Sequence, residues 1–172
     1  VETRIVDGEM NDVPPGVQGE IVHRSPQLLT GYWNKPDETA DAFSGDWFHS
    51  GDVGYLDDEG YLYVVDRVKD VIKTGGVIVA SREVEDAIFT HPAVSEVAVI
   101  GLPDPKWIEA VTALVVLRPG QEVGIDELVA HARERLAPYK VPKAVHFVDA
   151  LPRNTAGKIL KRTLRQEFAE QG

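Results

Sequence analysis

Asp66-Arg67-Val68-Lys69-Asp70-Val71-Ile72-Lys73-Thr74-Gly75-Gly76-Val77-Ile78-Val79 decides how this chain is organised. The stretch from Asp66 to Asp70 is dense in charge and lies between two apolar runs, Tyr61-Leu62-Tyr63-Val64-Val65 and Val71 onward. It reads either as a solvated connection between strands or as a hinge, because a polar junction can rotate without exposing core. Gly75-Gly76 then separates Val71-Ile72-Lys73 from Val77-Ile78-Val79, the pattern of a β-hairpin turn. Its other reading is close backbone approach to a ligand, since no Cβ would obstruct a narrow channel.

Towards the C-terminus, Ser81 is placed to cap a helix, with Glu83 and Glu85 in its first turn and Val84, Ala87 and Ile88 on one face. That helix stops before Pro92. Strands over 94–101 and 111–117 follow, separated by a loop holding Pro103, Pro105 and Trp107. Ile125, Leu128, Ala132 and Leu136 mark an amphipathic helix. Residues 144–148 read as a strand, and 159–168 as a helix burying Leu160, Leu164 and Phe168. The order β-β-α-β-β-α-β-α describes an α+β unit of about 100 residues.

Towards the N-terminus the chain is strand-rich. Residues 3–7 and 20–24 read as strands, with a turn-rich stretch at 11–19 between them. Lys35-Pro36-Asp37-Glu38-Thr39 opens a short helix. A strand over 47–56 with a turn at Gly51 meets Tyr61–Val65 through the hairpin signal Asp57-Asp58-Glu59-Gly60.

Charge follows the same division. Residues 1–66 hold 3 Lys/Arg against 14 Asp/Glu, whereas residues 67–172 hold 15 against 14. The domain boundary is therefore expected near Asp66-Arg67, giving domains 1–66 and 67–172. The acidic first part argues against nucleic acid as a partner, while the second can offer local positive charge to an anion. There are no cysteines, which excludes disulfides and thiolate catalysis and fits a cytoplasmic protein. No apolar run reaches transmembrane length. The chain opens on Val1 rather than Met, and we expect it to be a piece of something larger.

Leu151-Pro152-Arg153-Asn154-Thr155-Ala156-Gly157-Lys158-Ile159 puts a lysine after a flexible Gly, ahead of a basic helix. Such a lysine is a mobile cation on an anchored backbone, suited to an anionic transition state in phosphate chemistry. It is not the nucleoside-triphosphatase phosphate loop, because Pro152 and Ile159 stand where that loop needs Gly and Ser or Thr. Asp52 after Gly51 is either a strand-end turn residue or an acceptor for a ribose diol. Trp107 is a packing residue or a channel wall. Tyr139-Lys140, between Pro138 and Pro142, pairs an aromatic face with a cation and suits adenine with an attached phosphate; covering a core edge is the alternative. His23, His49, His91, His131 and His146 are scattered without metal-ligand spacing, so no metal site is expected in this chain.

Taken together, Gly31-Tyr32-Trp33-Asn34, Trp47-Phe48-His49-Ser50-Gly51-Asp52, Asp66–Gly76 and Leu151–Lys158 resemble the closing blocks of the adenylate-forming (ANL) superfamily. That superfamily contains acyl-CoA synthetases, nonribosomal-peptide adenylation domains and firefly-type luciferases. Ser81-Arg82-Glu83-Val84-Glu85 and Gly101-Leu102-Pro103-Asp104-Pro105-Lys106-Trp107 look most like the acyl-CoA synthetase branch, fatty-acyl in particular.

The resemblance implies the β-rich end of a large N-terminal AMP-binding domain over 1–66, then a small mobile C-terminal α+β domain over 67–172. It implies ATP-dependent activation of a carboxylic acid, fatty by preference, to an acyl-adenylate, followed by transfer to CoA. Asp52 would bind the ribose hydroxyls and Arg67 would contact the nucleotide. Lys158 would neutralise charge in the adenylation transition state, and Lys69 would be the hinge. Gly75 and Gly76 would line the pantetheine channel bordered by Trp107, with Tyr139 and Lys140 at the nucleotide end of CoA. Mg2+ would be held mainly by the family's upstream segments, which the chain lacks together with the acyl pocket, so residues 1–172 alone are expected to be inactive.

Three features depart from the family's pattern: Val77-Ile78 is apolar where Glu-Asn or a similar polar pair is usual, Val141 replaces a basic residue of some relatives, and Lys69 stands where many relatives carry Asp, Lys being a common alternative. The apolar pair leaves a non-catalytic binding module of the same fold as the rival reading. Loading of a carrier protein instead of CoA is a third.

Overall fold

A computed structural model of the chain describes residues 1–169, which form two compact units that divide between Lys69 and Asp70. The division falls after the break in charge because Arg67 still belongs to a strand of the first unit. Arg67 sits opposite Asp52 in that ladder, so the charged junction begins beyond it, at Val68.

The first unit is a four-stranded antiparallel sheet in sequence order: β1 (Glu2–Val6), β2 (Gly19–Arg24), β3 (Phe48–Leu56) and β4 (Leu62–Arg67). A short helix, α1 (Pro36–Ala42), precedes β3, with proline in its first turn where a missing N–H costs nothing. Its core is small. Val6, Val22 and Trp47 are buried together, and the guanidinium groups of Arg4 and Arg24 lie 5.0 and 4.6 Å from the Trp47 ring. Those cations hold the indole by its face while their tips stay wet. Gly51, at φ 71°, gives β3 its bend, and a register shift at Val53/Gly54 adds a bulge. Both lie beside Asp52, and a bulge re-aims neighbouring side chains.

The second unit runs β5 (Ile72–Thr74), β6 (Val77–Val79), α2 (Ser81–Phe89), β7 (Val94–Asp104), β8 (Ile108–Leu117), α3 (Ile125–Arg133), β9 (Ala144–Phe147) and α4 (Lys161–Ala169). This is the expected order of elements. Its sheet runs β6-β5-β8-β7, with β9 parallel to β8. Alternation along β7 and β8 splits the apolar side chains between two cores. Val97, Val99, Val111, Ala113 and Val115 pack with α2 and α3, while Ala98, Ile100 and Leu114 pack with Leu164 of α4. Burial on both faces explains the near-continuous apolar run of β8.

Several details differ from the sequence expectations. Ser81 does not cap α2: Ala80 occupies the N-cap, and Ser81 Oγ instead accepts a hydrogen bond from Lys161 Nζ at 2.6 Å. The loop expected at 102–110 is mostly strand, because β7 and β8 continue in register to the pair Asp104–Ile108. Pro103 is tolerated since β7 is an edge strand that needs no further ladder donor. Asp104 Oδ1 closes the tight turn by accepting the N–H groups of Lys106 and Trp107 at 2.8 and 2.9 Å. The last helix starts at Lys161, leaving Leu160 exposed.

Candidate functional site

Asp52 and Arg67 are brought together within the first unit. They are directly opposed in the β3–β4 ladder, and Arg67 Nε lies 2.8 Å from Asp52 Oδ1. Ser50 Oγ accepts the Asp52 N–H at 3.1 Å while donating to the Ile21 carbonyl at 2.7 Å, so the backbone carrying the carboxylate is tied to β2. On the other side, Val68 N–H donates to the Gly51 carbonyl at 2.9 Å. Each carboxylate oxygen can accept more than one hydrogen bond, and a guanidinium has five donors. The pair therefore keeps acceptors and donors for a polyhydroxylated anion.

Lys69 is exposed in the turn that follows β4, at the last residue of the first unit.

Lys158 stands in a tight turn whose backbone is fixed by Asn154. Asn154 Oδ1 accepts the N–H groups of Ala156 and Lys158 at 3.0 and 2.9 Å, and Asn154 N–H donates to the Lys158 carbonyl at 2.9 Å. Gly157 makes the turn possible at φ 80°, a conformation costly for residues with a Cβ. The Lys158 side chain itself is exposed. Arg153 fastens the turn to the sheet, donating to the Gly157 carbonyl at 2.6 Å and pairing with Glu96 on β7.

Gly75, in the β5–β6 turn with Gly76, meets Trp107 of the β7–β8 turn. Both glycines have positive φ, 58° and 82°, as a two-residue hairpin turn requires. Gly75 N–H donates to the Trp107 carbonyl at 2.8 Å, and a Cβ on Gly75 would stand 3.4 Å from the Trp107 ring. Val77 and Ile78 are exposed. Lys106 and Lys143 place their ammonium groups 4.9 and 5.0 Å from the Trp107 ring centre. Burial, then the charges of Arg133 and Lys106, push the Lys143 pKa down. Tyr139 is exposed, whereas Lys140 Nζ donates to both carboxylate oxygens of Glu83 at 2.7 and 2.6 Å. The Lys140 cation is thereby ion-paired with Glu83, whose side chain is partly exposed.

The two lysine- and glycine-bearing turns occupy opposite edges of one sheet. Glu96, which holds the Lys158 turn, lies on edge strand β7; Gly75-Gly76 leads into edge strand β6. Among the described residues no group of three or more His, Asp or Glu side chains could hold a metal ion.

Residues 83–158 match the AMP-binding enzyme C-terminal domain. The chain is 47% identical over 167 residues to a feruloyl-CoA synthase of Amycolatopsis sp., an alignment covering 97% of this chain and 34% of that protein. It is 51% identical over 152 residues to a long-chain-fatty-acid–CoA ligase of Mycobacterium tuberculosis, covering 88% of this chain and 30% of that one. The ATP-bound structure of MatB from Rhodopseudomonas palustris superposes with a TM-score of 0.87 at 37% identity, covering 99% of this chain and 34% of MatB. The chain belongs to the adenylate-forming enzymes. It spans roughly a third of the length of these relatives.

Against the known members of this superfamily, the α+β architecture of the second unit is the small C-terminal domain fold. Within this chain of the superfamily, sequence reasoning missed Glu96, Lys106, Arg133 and Lys143. Glu96 and Arg153 are far apart in sequence, and only the path of β7 joins them. Lys143 and Lys106 reach Trp107 from different elements, so no local pattern announces the cluster.

Proposed function

We propose that this chain is the C-terminal portion of an acyl-CoA synthetase, in which the unit ending at Lys69 closes the large AMP-binding domain and the unit beginning at Asp70 forms the mobile domain. In the first half-reaction a carboxylate oxygen attacks the α-phosphorus of ATP, and the bond to pyrophosphate breaks. Asp52 accepts hydrogen bonds from the ribose hydroxyls, and Arg67 contacts the nucleotide while fixing the Asp52 carboxylate. Lys158 neutralises the negative charge that grows on the reacting oxygens. Loss of such a donor typically costs on the order of a hundredfold or more in rate.

In the second half-reaction the thiolate sulfur of CoA attacks the acyl carbonyl, and the bond to AMP breaks. Rotation about Lys69 withdraws Lys158 and brings up the turn of Gly75 and Gly76, where the absence of a Cβ leaves room for a thin pantetheine arm. Trp107 borders that arm, and Tyr139 with Lys140 stands near the nucleotide end of CoA. The observation that carries this reading is the placement of the two turns at opposite edges of one sheet. A single rigid-body swivel exchanges them without repacking either core. A fatty acid is the preferred substrate class, and the kinship to long-chain and feruloyl ligases supports a hydrophobic acid. ATP is used with Mg2+, which supplies charge neutralisation at the phosphates and would be held outside this chain. Residues 1–172 alone would then be inactive.

The test is direct. A full-length protein carrying this chain should catalyse acid-dependent ATP–pyrophosphate exchange and release acyl-CoA when CoA is added. Neither product from any of a panel of fatty and aryl acids would defeat the proposal.

A further inference from the structure

Leu151 and Ile159, at the two ends of the turn that presents Lys158, pack against the core of Ala98, Ile100 and Leu114, while the exposed tip between them is held by polar ties. A cleft of about 300 Å³ opens beside it, lined among others by Arg82, Phe89, Glu96, Arg153 and Ile159. Asn154 shapes the turn from within, but its bonds reach only Ala156 and Lys158 and do not orient the turn on the sheet. The polar tie from the tip to the sheet runs through Arg153, whose guanidinium donates from Nη1 to the Gly157 carbonyl and from Nη2 to Glu96 Oε2. Glu96 stands where the β7–β8 register shifts between Val94 and Glu96, an irregularity that re-aims its side chain.

We propose that Glu96 and Arg153 are positioning residues for Lys158, setting the rate of the adenylation step alone. The inference rests on the assignment of Lys158 given above. Both side chains are more than a third exposed, so the pair contributes little to stability. Its effect is geometric: it fixes the carbonyl of the residue before Lys158, and a displacement on the order of 1 Å at a reacting group can cost about a hundredfold in rate. The guanidinium is the required group because one planar fork serves two acceptors at once.

The experiment uses the full-length protein and separates the half-reactions. Glu96→Ala and Arg153→Ala should each lower kcat of acid-dependent ATP–pyrophosphate exchange about tenfold or more, leaving the KM for ATP and the melting temperature near wild type. Thioester formation from supplied acyl-adenylate and CoA should be unchanged. Glu96→Gln keeps an oxygen acceptor and should recover most of the rate. Arg153→Lys, whose single ammonium cannot span both acceptors, should not. Wild-type exchange in Glu96→Ala, or equal loss in both half-reactions, overturns the proposal. Lys158→Ala run alongside tells the two failures apart. Exchange surviving that variant defeats the Lys158 assignment itself; exchange lost there but intact in Glu96→Ala defeats only the positioning role.

Discussion

Asp52 and Arg67 face each other across the β3–β4 ladder with Arg67 Nε 2.8 Å from Asp52 Oδ1, so the two candidate nucleotide contacts form one unit rather than two. Hydrogen bonds to charged groups are worth ~1.5–3 kcal/mol each. Asp52→Ala and Arg67→Ala should each raise the KM for ATP about tenfold or more in the full-length protein. Groups in one network do not act additively, so the double variant should lose clearly less than the product of the single losses. Independent, multiplicative losses would mean that the pair does not act jointly on the nucleotide.

Thr74 offers a test of stability beside the glycine turn. Its side chain is buried, and Oγ1 has no hydrogen-bond partner among the described residues. An unsatisfied buried hydroxyl is costly, whereas an apolar group of the same shape is not. Thr74→Val should therefore stabilise the chain by about 1 kcal/mol, measured by urea or thermal unfolding. Thr74→Ser, which keeps the hydroxyl and removes a methyl, should destabilise it. Loss of stability in the valine variant would show that the hydroxyl is satisfied in solution.

His131 couples the docking of α2 and α3 to pH. Its ring lies 4.9 Å from that of His91, edge to face, and Nε2 is 2.7 Å from Thr90 Oγ1. Burial, then the charges of Arg135 and His91, lower its pKa from the ordinary 6.5. The folded state therefore binds fewer protons than the unfolded state just below that value. The stabilisation is fully present above pH 6.5 and is lost as pH falls from there through the depressed folded value. Melting temperature should drop between pH 7.5 and pH 5.5, and the drop should be shallower in His131→Gln. An unchanged slope in that variant would place the titration elsewhere.

The sequence made the β5–β6 hairpin and the order of the second unit legible because Gly-Gly and apolar periodicity are local signals. Other features were set by partners distant in sequence. Ser81 looks like an N-cap, yet its hydroxyl accepts from Lys161, which also pairs with Glu85 at 2.7 Å. Pro103 and Pro105 look like loop residues, yet edge position lets β7 run through Pro103. The pairing of Lys140 with Glu83 spans 57 positions, so no local pattern announces it. The motif residues Asp52, Arg67, Gly75, Gly76 and Lys158 were found only as a set, since each alone has an ordinary structural reading. The charge break marked the division of the chain approximately, because β4 carries Arg67 into the first unit.

The most direct measurement compares Lys158→Ala with Gly75→Ala in the full-length protein, each half-reaction measured separately. Gly75 has φ 58°, and an added Cβ would stand 3.4 Å from the Trp107 ring, so alanine there both strains the turn and narrows the space beside it. The expected result is a double dissociation. Lys158→Ala loses acid-dependent ATP–pyrophosphate exchange on the order of a hundredfold and keeps thioester formation from supplied acyl-adenylate; Gly75→Ala keeps exchange and loses thioester formation. Parallel losses in both variants would contradict the division of labour between the two edges of the sheet.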